Sequence, residues 1–385
     1  MKKLKITTVF GTRPDAIKMA PLVKELEKSG QADSIVCVTA QHRRMLDQVL
    51  DIFEIVPDHD LNIMQDSQTL EYITTKALEG LSAVFAKVRP DIVLVHGDTT
   101  TCFAAALAAF YKKIAVGHVE AGLRTFDKYF PYPEEMNRKL AGAIADLHFA
   151  PTALNRQNLI NEGIKEEKIY VTGNTVIDAL KTTVTRNYRF SDESLLKVDF
   201  SGRKVIAVTA HRRENLGEPL RNICNAIKYI AEKYKDVEIV YTVHLNPAVR
   251  NTVREILGGC ERVHLIDPVG VRDMHNLIDR SFLVLTDSGG LQEEAPAMGK
   301  PVLVLRNETE RPEAVEAGTV KLAGTDERNI ASLTCELLEN NGEYNRMARA
   351  VNPYGDGNAS RRIVQALLYE FGLSGEKPAK FGDSS

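Results

Sequence analysis

The chain reads as an α/β protein built from two Rossmann-like domains. Short apolar runs alternate with amphipathic helical stretches along its whole length, as expected of parallel strands covered on both faces by helices. A polar, aperiodic stretch from Thr185 to Arg203 interrupts the alternation near the middle. The two halves also echo each other. Each begins with a strand and an Arg-bearing turn, at 9–13 and 208–213, and each later has a strand ending in Asp and small polar residues, at 94–100 and 283–289. The expected site is a cleft at the carboxyl ends of the strands, shared by the two domains.

Expected strands are Lys5–Phe10, Ile35–Thr39, Asp91–His96, Ile114–Val119, Val205–Thr209, Glu238–Val243, Phe282–Thr286 and Pro301–Leu305. Helical periodicity marks Asp15–Ser29, Thr99–Tyr111, Pro219–Lys235, Asp326–Glu339 and a last helix, Ser360–Phe371. The domains are read as 1–184 and 204–352, joined by a linker at 185–203. The helix within 353–372 packs back on the first domain, and 373–385 forms a frayed tail.

Composition narrows the class. The 385 residues are 44% hydrophobic and 26% charged, with a net charge of −3. That balance gives no basic field for nucleic acid or an anionic membrane. No apolar run approaches a membrane span, and the N-terminal stretch is too short for an export signal. Five scattered cysteines without a C-x-x-C pair read as reduced and structural in a cytoplasmic protein, and no metal-ligand spacing is visible.

The residues that carry chemistry lie in the strand–helix turns. Asp287-Ser288-Gly289-Gly290 follows an apolar strand and opens a helix, which suits a phosphate, and the carboxylates just beyond suit ribose hydroxyls. Gly11-Thr12-Arg13-Pro14 is neither the dinucleotide fingerprint nor a P-loop. Arg13 and Lys18 either hold a diphosphate or are a turn arginine and a surface lysine. Asp98 is either a ligand-facing acid or the N-cap of the helix after it. His118 and Glu120 would share a strand face as a proton-handling pair. Glu134 and Glu135 are explained by a helix dipole, and Glu134 also by an i,i+4 pair with Arg138. The cations at His211-Arg212-Arg213 suit an anion.

Taken together, and with His96-Gly97-Asp98-Thr99, Thr172-Gly173-Asn174-Thr175 and Arg311-Pro312-Glu313, these motifs resemble the bacterial non-hydrolysing UDP-N-acetylglucosamine 2-epimerases over about residues 4–372. The resemblance implies a GT-B fold, no cofactor, a homodimer, and interconversion of UDP-GlcNAc and UDP-ManNAc through a 2-acetamidoglucal, for surface polysaccharide. It implies Asp98, Glu120 and Glu134 as acid/base groups assisted by His211 and Lys18. It implies Arg13, His211, Ser288, Gly289 and Gly290 on the diphosphate, and Glu294 on the ribose. It also implies a regulatory UDP-GlcNAc site at Gln41, His42, Arg212 and His244, with Arg44 and Ser67 departing from the residues usual in regulated relatives. Asp15 stands where Glu is usual, and Phe126 and Phe130 are bulkier than usual. A hydrolysing enzyme, a glycosyltransferase of the same fold and a catalytically silent nucleotide-sugar sensor are the competing readings.

Overall fold

The computed structural model describes residues 3–382. It divides into two compact units, one formed by residues up to 182 together with those from 354 onward, the other by Thr183–Pro353. The first unit holds a parallel sheet of β1 (Leu4–Phe10), β2 (Ala32–Val38), β3 (His59–Asp60), β4 (Ile92–His96), β5 (Ala115–Val119), β6 (Leu147–Ala150) and β7 (Ile169–Val171). Their order is β3-β2-β1-β4-β5-β6-β7. The second unit holds β8 (Lys204–Thr209), β9 (Val237–Thr242), β10 (Val263–Ile266), β11 (Leu283–Thr286), β12 (Val302–Val304) and β13 (Val320–Leu322), in the order β10-β9-β8-β11-β12-β13. All pairings within both sheets are parallel. This is the pair of Rossmann-like sheets expected of the GT-B class. In each sheet the order reverses beside its first strand, between β1 and β4 and between β8 and β11. Ligands of such sheets gather at that point.

The strands are apolar because both faces are covered. Every residue of β4 and β9 is buried. The first helix, Arg13–Lys28, starts in a capping box: the Asp15 carboxylate accepts from the Thr12 N–H at 2.7 Å, and Pro14 occupies the first turn. The helix Thr100–Tyr111 starts at Thr99, whose Oγ1 accepts from the Cys102 N–H at 3.1 Å.

Two segments differ from the sequence reading. Residues 185–203, read as a linker from their polarity, pack within the second unit. Buried Asp273 accepts from Tyr188 Oη, Ser191 N and Asp192 N at 2.9, 2.9 and 3.1 Å. Phe190 stacks on Phe200, with the Arg280 guanidinium over its ring. Three aromatics without periodicity anchor what looked like a solvated strand of chain. The tail read as frayed is likewise held: the Phe381 N–H donates to the Val171 carbonyl of the edge strand β7 at 2.9 Å. Residues 383–385, also within the tail reading, lie outside the described residues.

The last helix, Ala359–Glu370, belongs to the first unit. Ile363, Val364, Ala366 and Leu367 enter the core with Leu22, Val23 and Leu26 of the first helix. Asp178 accepts from the Ala359 and Ser360 N–H groups at 3.1 and 2.8 Å, so the helix start needs no cap of its own.

Candidate active site

In the first unit, Asp15 organises the turn after β1. Its carboxylate accepts from the N–H groups of Gly11, Thr12 and Ala16 and from Thr99 Oγ1, at 2.7 to 3.4 Å. Burial pushes this carboxyl up, and the donors pull it back. The shorter arm at this position is thus spent as scaffold, tying the turn after β1 to the turn after β4.

Lys18, one turn into that helix, ion-pairs with Glu120 Oε2. The same oxygen accepts from Asn174 Nδ2 at 2.8 Å, and His96 Nε2 stands 3.7 Å away. Burial lowers the His96 imidazole to about 4, so it is neutral at physiological pH. The histidine beside Glu120 is therefore His96 and not His118, which corrects the expected pair. Side chains alternate only while the backbone stays extended. Glu120 lies one residue past β5 with φ of 61°, in the left-handed region. His118 instead donates from Nε2 to the Gly97 carbonyl at 2.7 Å, fully buried and lowered by burial to about 3.

Asp98 is not the cap of the helix after it, because Thr99 is. Its carboxylate pairs with Arg138, and its carbonyl accepts from Asn137 Nδ2 at 2.9 Å. Arg138 also lies 3.4 Å from Glu135, which is buried and accepts from the Thr125 and Phe126 N–H groups. Glu135 is structural, as read. The expected Glu134–Arg138 pair does not form. Glu134 stands at the first position of helix Glu134–Ile144, half-buried, with no hydrogen-bond or ion-pair partner among the described residues. Arg13 is half-buried in the turn after β1.

In the second unit, Asp287 plays the organising part. Fully buried, its Oδ2 accepts from His211 N, Arg212 N and Asn215 Nδ2 at 2.7, 2.8 and 3.0 Å. The turns after β8 and β11 are thereby locked together. His211 Nδ1 lies 3.6 Å from Asp287 Oδ1, and its ring stacks on His244 with centroids 5.1 Å apart. Burial lowers the His211 imidazole, opposed by Asp287. Arg212 donates to Glu310 at 3.0 Å. Despite burial, that carboxyl is held at about 2 by a backbone N–H and by Arg212, Arg306 and Arg311.

Ser288 follows β11, and Gly290 opens the helix Leu291–Ala297. Small residues keep this turn open beside neighbouring carboxylates. A Cβ on Gly289 would lie 2.9 Å from Glu310 Oε1, and one on Gly290 would lie 3.4 Å from Glu294 Oε1. Glu294 is fixed by buried His275, 3.2 Å away, whose other nitrogen meets Thr183 Oγ1 at 2.7 Å. Glu293 is spent on Arg311.

Of the residues implied for regulation, Gln41 and His42 belong to the first unit, Arg212 and His244 to the second. Gln41 Oε1 accepts from Thr101 at 3.2 Å, and the His42 N–H donates to the Gly11 carbonyl at 3.2 Å. Arg44 begins a helix, Arg44–Ile52, and Ser67 has φ of 55°. His96, Asn174, Asp287 and His275 had no role in the sequence reading. His96 and Asp287 lie at the ends of apolar strands, which is a local signal; Asn174 in its turn and His275 within the helix 271–280 carry none.

Among the described residues, no cluster of three or more His, Cys, Asp or Glu is placed to hold a metal, and no helix is long and apolar enough to cross a membrane. The family model for UDP-N-acetylglucosamine 2-epimerase matches residues 24–368. The chain is 60% identical over 381 residues to the UDP-N-acetylglucosamine 2-epimerase of Bacillus subtilis, covering 99% of each. A crystal structure of UDP-GlcNAc 2-epimerase from Neisseria meningitidis bound to UDP-GlcNAc is 51% identical with a TM-score of 0.86, over 95% of this chain and 100% of that one. The Methanocaldococcus jannaschii enzyme, in complex with UDP-GlcNAc and UDP, is 36% identical with a TM-score of 0.77, over 95% and 100%. By that family model and these identities, the chain belongs to the UDP-N-acetylglucosamine 2-epimerase family.

Proposed function

We propose that this chain interconverts UDP-GlcNAc and UDP-ManNAc without net hydrolysis, by elimination and re-addition of UDP. A base removes the C2 proton, the electron pair forms the C1=C2 bond, and the C1–O bond breaks to release UDP. The 2-acetamidoglucal then takes a proton on the opposite face of C2, and a UDP oxygen returns to C1. Inversion at C2 needs proton-handling groups on two faces, and the C2 proton is acidic only if the departing diphosphate is stabilised.

The observation that carries this reading is the set of carboxylates left for chemistry in the first unit. Glu135 and Asp15 are consumed by backbone N–H groups. Asp98 instead pairs with the side chain of Arg138, and Glu120 meets the side chains of Lys18, a proton-sharing neighbour, and Asn174. A site that only sensed a nucleotide sugar would gain nothing from such acids near a diphosphate. Arg13, His211 and the Ser288–Gly290 turn hold the diphosphate in this proposal, and Glu294, aimed by His275, takes the ribose hydroxyls. The protein acts as a homodimer and supplies ManNAc units for surface polysaccharide.

Proton NMR with UDP-GlcNAc in deuterated water tests the reaction. UDP-ManNAc carrying deuterium at C2 is the expected product. Free ManNAc and UDP as main products would assign the hydrolysing reaction instead, and binding without turnover would assign the sensor. A second UDP-GlcNAc at Gln41, His42, Arg212 and His244 belongs to the same proposal. Equal UDP-ManNAc turnover with and without trace UDP-GlcNAc would remove it.

A further inference from the structure

Glu120 is held by a side chain whose own position is set by the far end of the chain. Asn174 is 3% exposed. Its Oδ1 accepts from the Val176 N–H at 3.3 Å, which fixes the amide orientation and turns Nδ2 toward Glu120 at 2.8 Å. Its backbone N–H donates to the Tyr354 carbonyl at 2.6 Å, and Tyr354 is buried. The approach is close on every side. Gly173 has φ of 83°, and a Cβ there would lie 3.2 Å from Gly355 Cα and 3.6 Å from the Phe381 ring. Arg362 donates to the Thr172 carbonyl at 3.1 Å while its fork grips Asp356 at 2.8 and 2.7 Å. Asp178 ties down the start of the last helix. The turn 172–174 is thus clamped by residues 354–381.

We infer that Asn174 is a positioning residue for Glu120, and that the segment Tyr354–Phe381 is part of the acid/base apparatus because it clamps the Asn174 turn. This rests on the reading of Glu120 as a proton-handling group. Titratable groups facing Glu120 include Lys18 from the first helix and His96 from the end of β4, while the Asn174 turn brings a neutral donor. Asn174 therefore orients the carboxylate without adding charge, and a side chain placed about 1 Å off costs on the order of a hundredfold in rate.

The test is Asn174→Asp, which keeps shape and the Val176 bond but sets a second carboxylate against Glu120. Expected are a kcat about ten- to a hundredfold lower, a KM for UDP-GlcNAc within about twofold of wild type because uniform binding is untouched, and an acid limb of the kcat profile moved up by about one pH unit. Gly355→Ala, whose Cβ would meet Ile177 at 3.1 Å, should lower kcat through the clamp without moving the acid limb. An Asn174→Asp protein with a lowered melting temperature but an unmoved profile would show a merely structural residue and overturn the inference. Glu120→Gln separates the two readings. If it is inactive while Asn174→Asp keeps wild-type kcat and profile, the inference alone fails. If Glu120→Gln turns over normally, the proton-handling reading fails and the inference with it.

Discussion

The turns after β4 and β11 occupy matching places, each beside the first strand of its sheet where the strand order reverses, and each carries an aspartate. Their fates are opposite. Asp287 is fully buried and gives one oxygen to three N–H donors that lock the neighbouring turn. Asp98 keeps a quarter of its side chain exposed and pairs with a single arginine side chain. The difference lies in the donors. Backbone N–H groups turn a carboxylate into scaffold, whereas a side-chain partner orients it and leaves it able to exchange a proton. The first unit obtains its scaffold from Asp15 instead, on the helix rather than in the strand-end turn, which relieves the strand-end acid of that task.

Replacing each acid breaks or sharpens this contrast. Asp98→Asn and Glu134→Gln should each cut turnover by about a thousandfold, with the melting temperature close to wild type. Near-normal turnover in both would refute their catalytic assignment. Asp287→Ala should instead act first on stability, losing about 3 kcal/mol in chemical denaturation because three buried donors lose their acceptor. Asp287→Asn, whose amide oxygen can still accept, should lose less than half of that. If Asp287→Ala were no more destabilising than Asp98→Ala, the scaffold role would be wrong.

Acid should also separate the units. His96, His118 and His148 are buried in the first unit and lowered by burial to about 4, 3 and 4 from an ordinary 6.5. A histidine lowered in the folded state binds fewer protons there than when unfolded. Its contribution is intact above about pH 6.5 and is lost as pH falls toward its folded value, at about 1 kcal/mol per pH unit for each residue. Of the four histidines of the second unit, His211 is lowered, by burial against the pull of Asp287. Hydrogen exchange at pH 7 and pH 5 should show first-unit peptides opening first; equal loss in both units would contradict this. The smallest effect is expected from Gly289→Ala. Its new methyl crowds only the carboxylate end of the Glu310 side chain, so UDP affinity by calorimetry should fall less than about tenfold while stability holds.

Much of this was legible in the sequence, within a physical limit. Strands of four to seven apolar residues flanked by turns, such as β1, β4, β8 and β11, declare themselves. Short strands do not: β7 and β13 have three residues each, and only Ile266 of β10 is fully buried. The phosphate turn, Asp98 and Glu120 could be named because they lie just past such strands, whereas Glu134 opens a helix far from one and was named for chemistry only through the family resemblance. Their partners could not. Lys18 and Asn174 meet Glu120 from 102 and 54 residues away, and no periodicity encodes that meeting. The His118 reading failed for a local reason, since one left-handed residue at Glu120 ends the alternation on which it depended.

The return of helix Ala359–Glu370 to the first unit has a consequence for biosynthesis. Nothing made before residue 359 can supply Ile363, Val364 and Leu367 to that core or satisfy Asp178. At 5–20 residues per second, the ribosome needs roughly 10–40 s to travel from the end of the first stretch to the end of this helix. The second unit, continuous in sequence, is complete before the first. A nascent chain therefore carries a complete N-terminal sheet that still lacks one covering helix while the second unit folds behind it. A stop codon anywhere before the last helix removes a wall of the first unit, not an appendage.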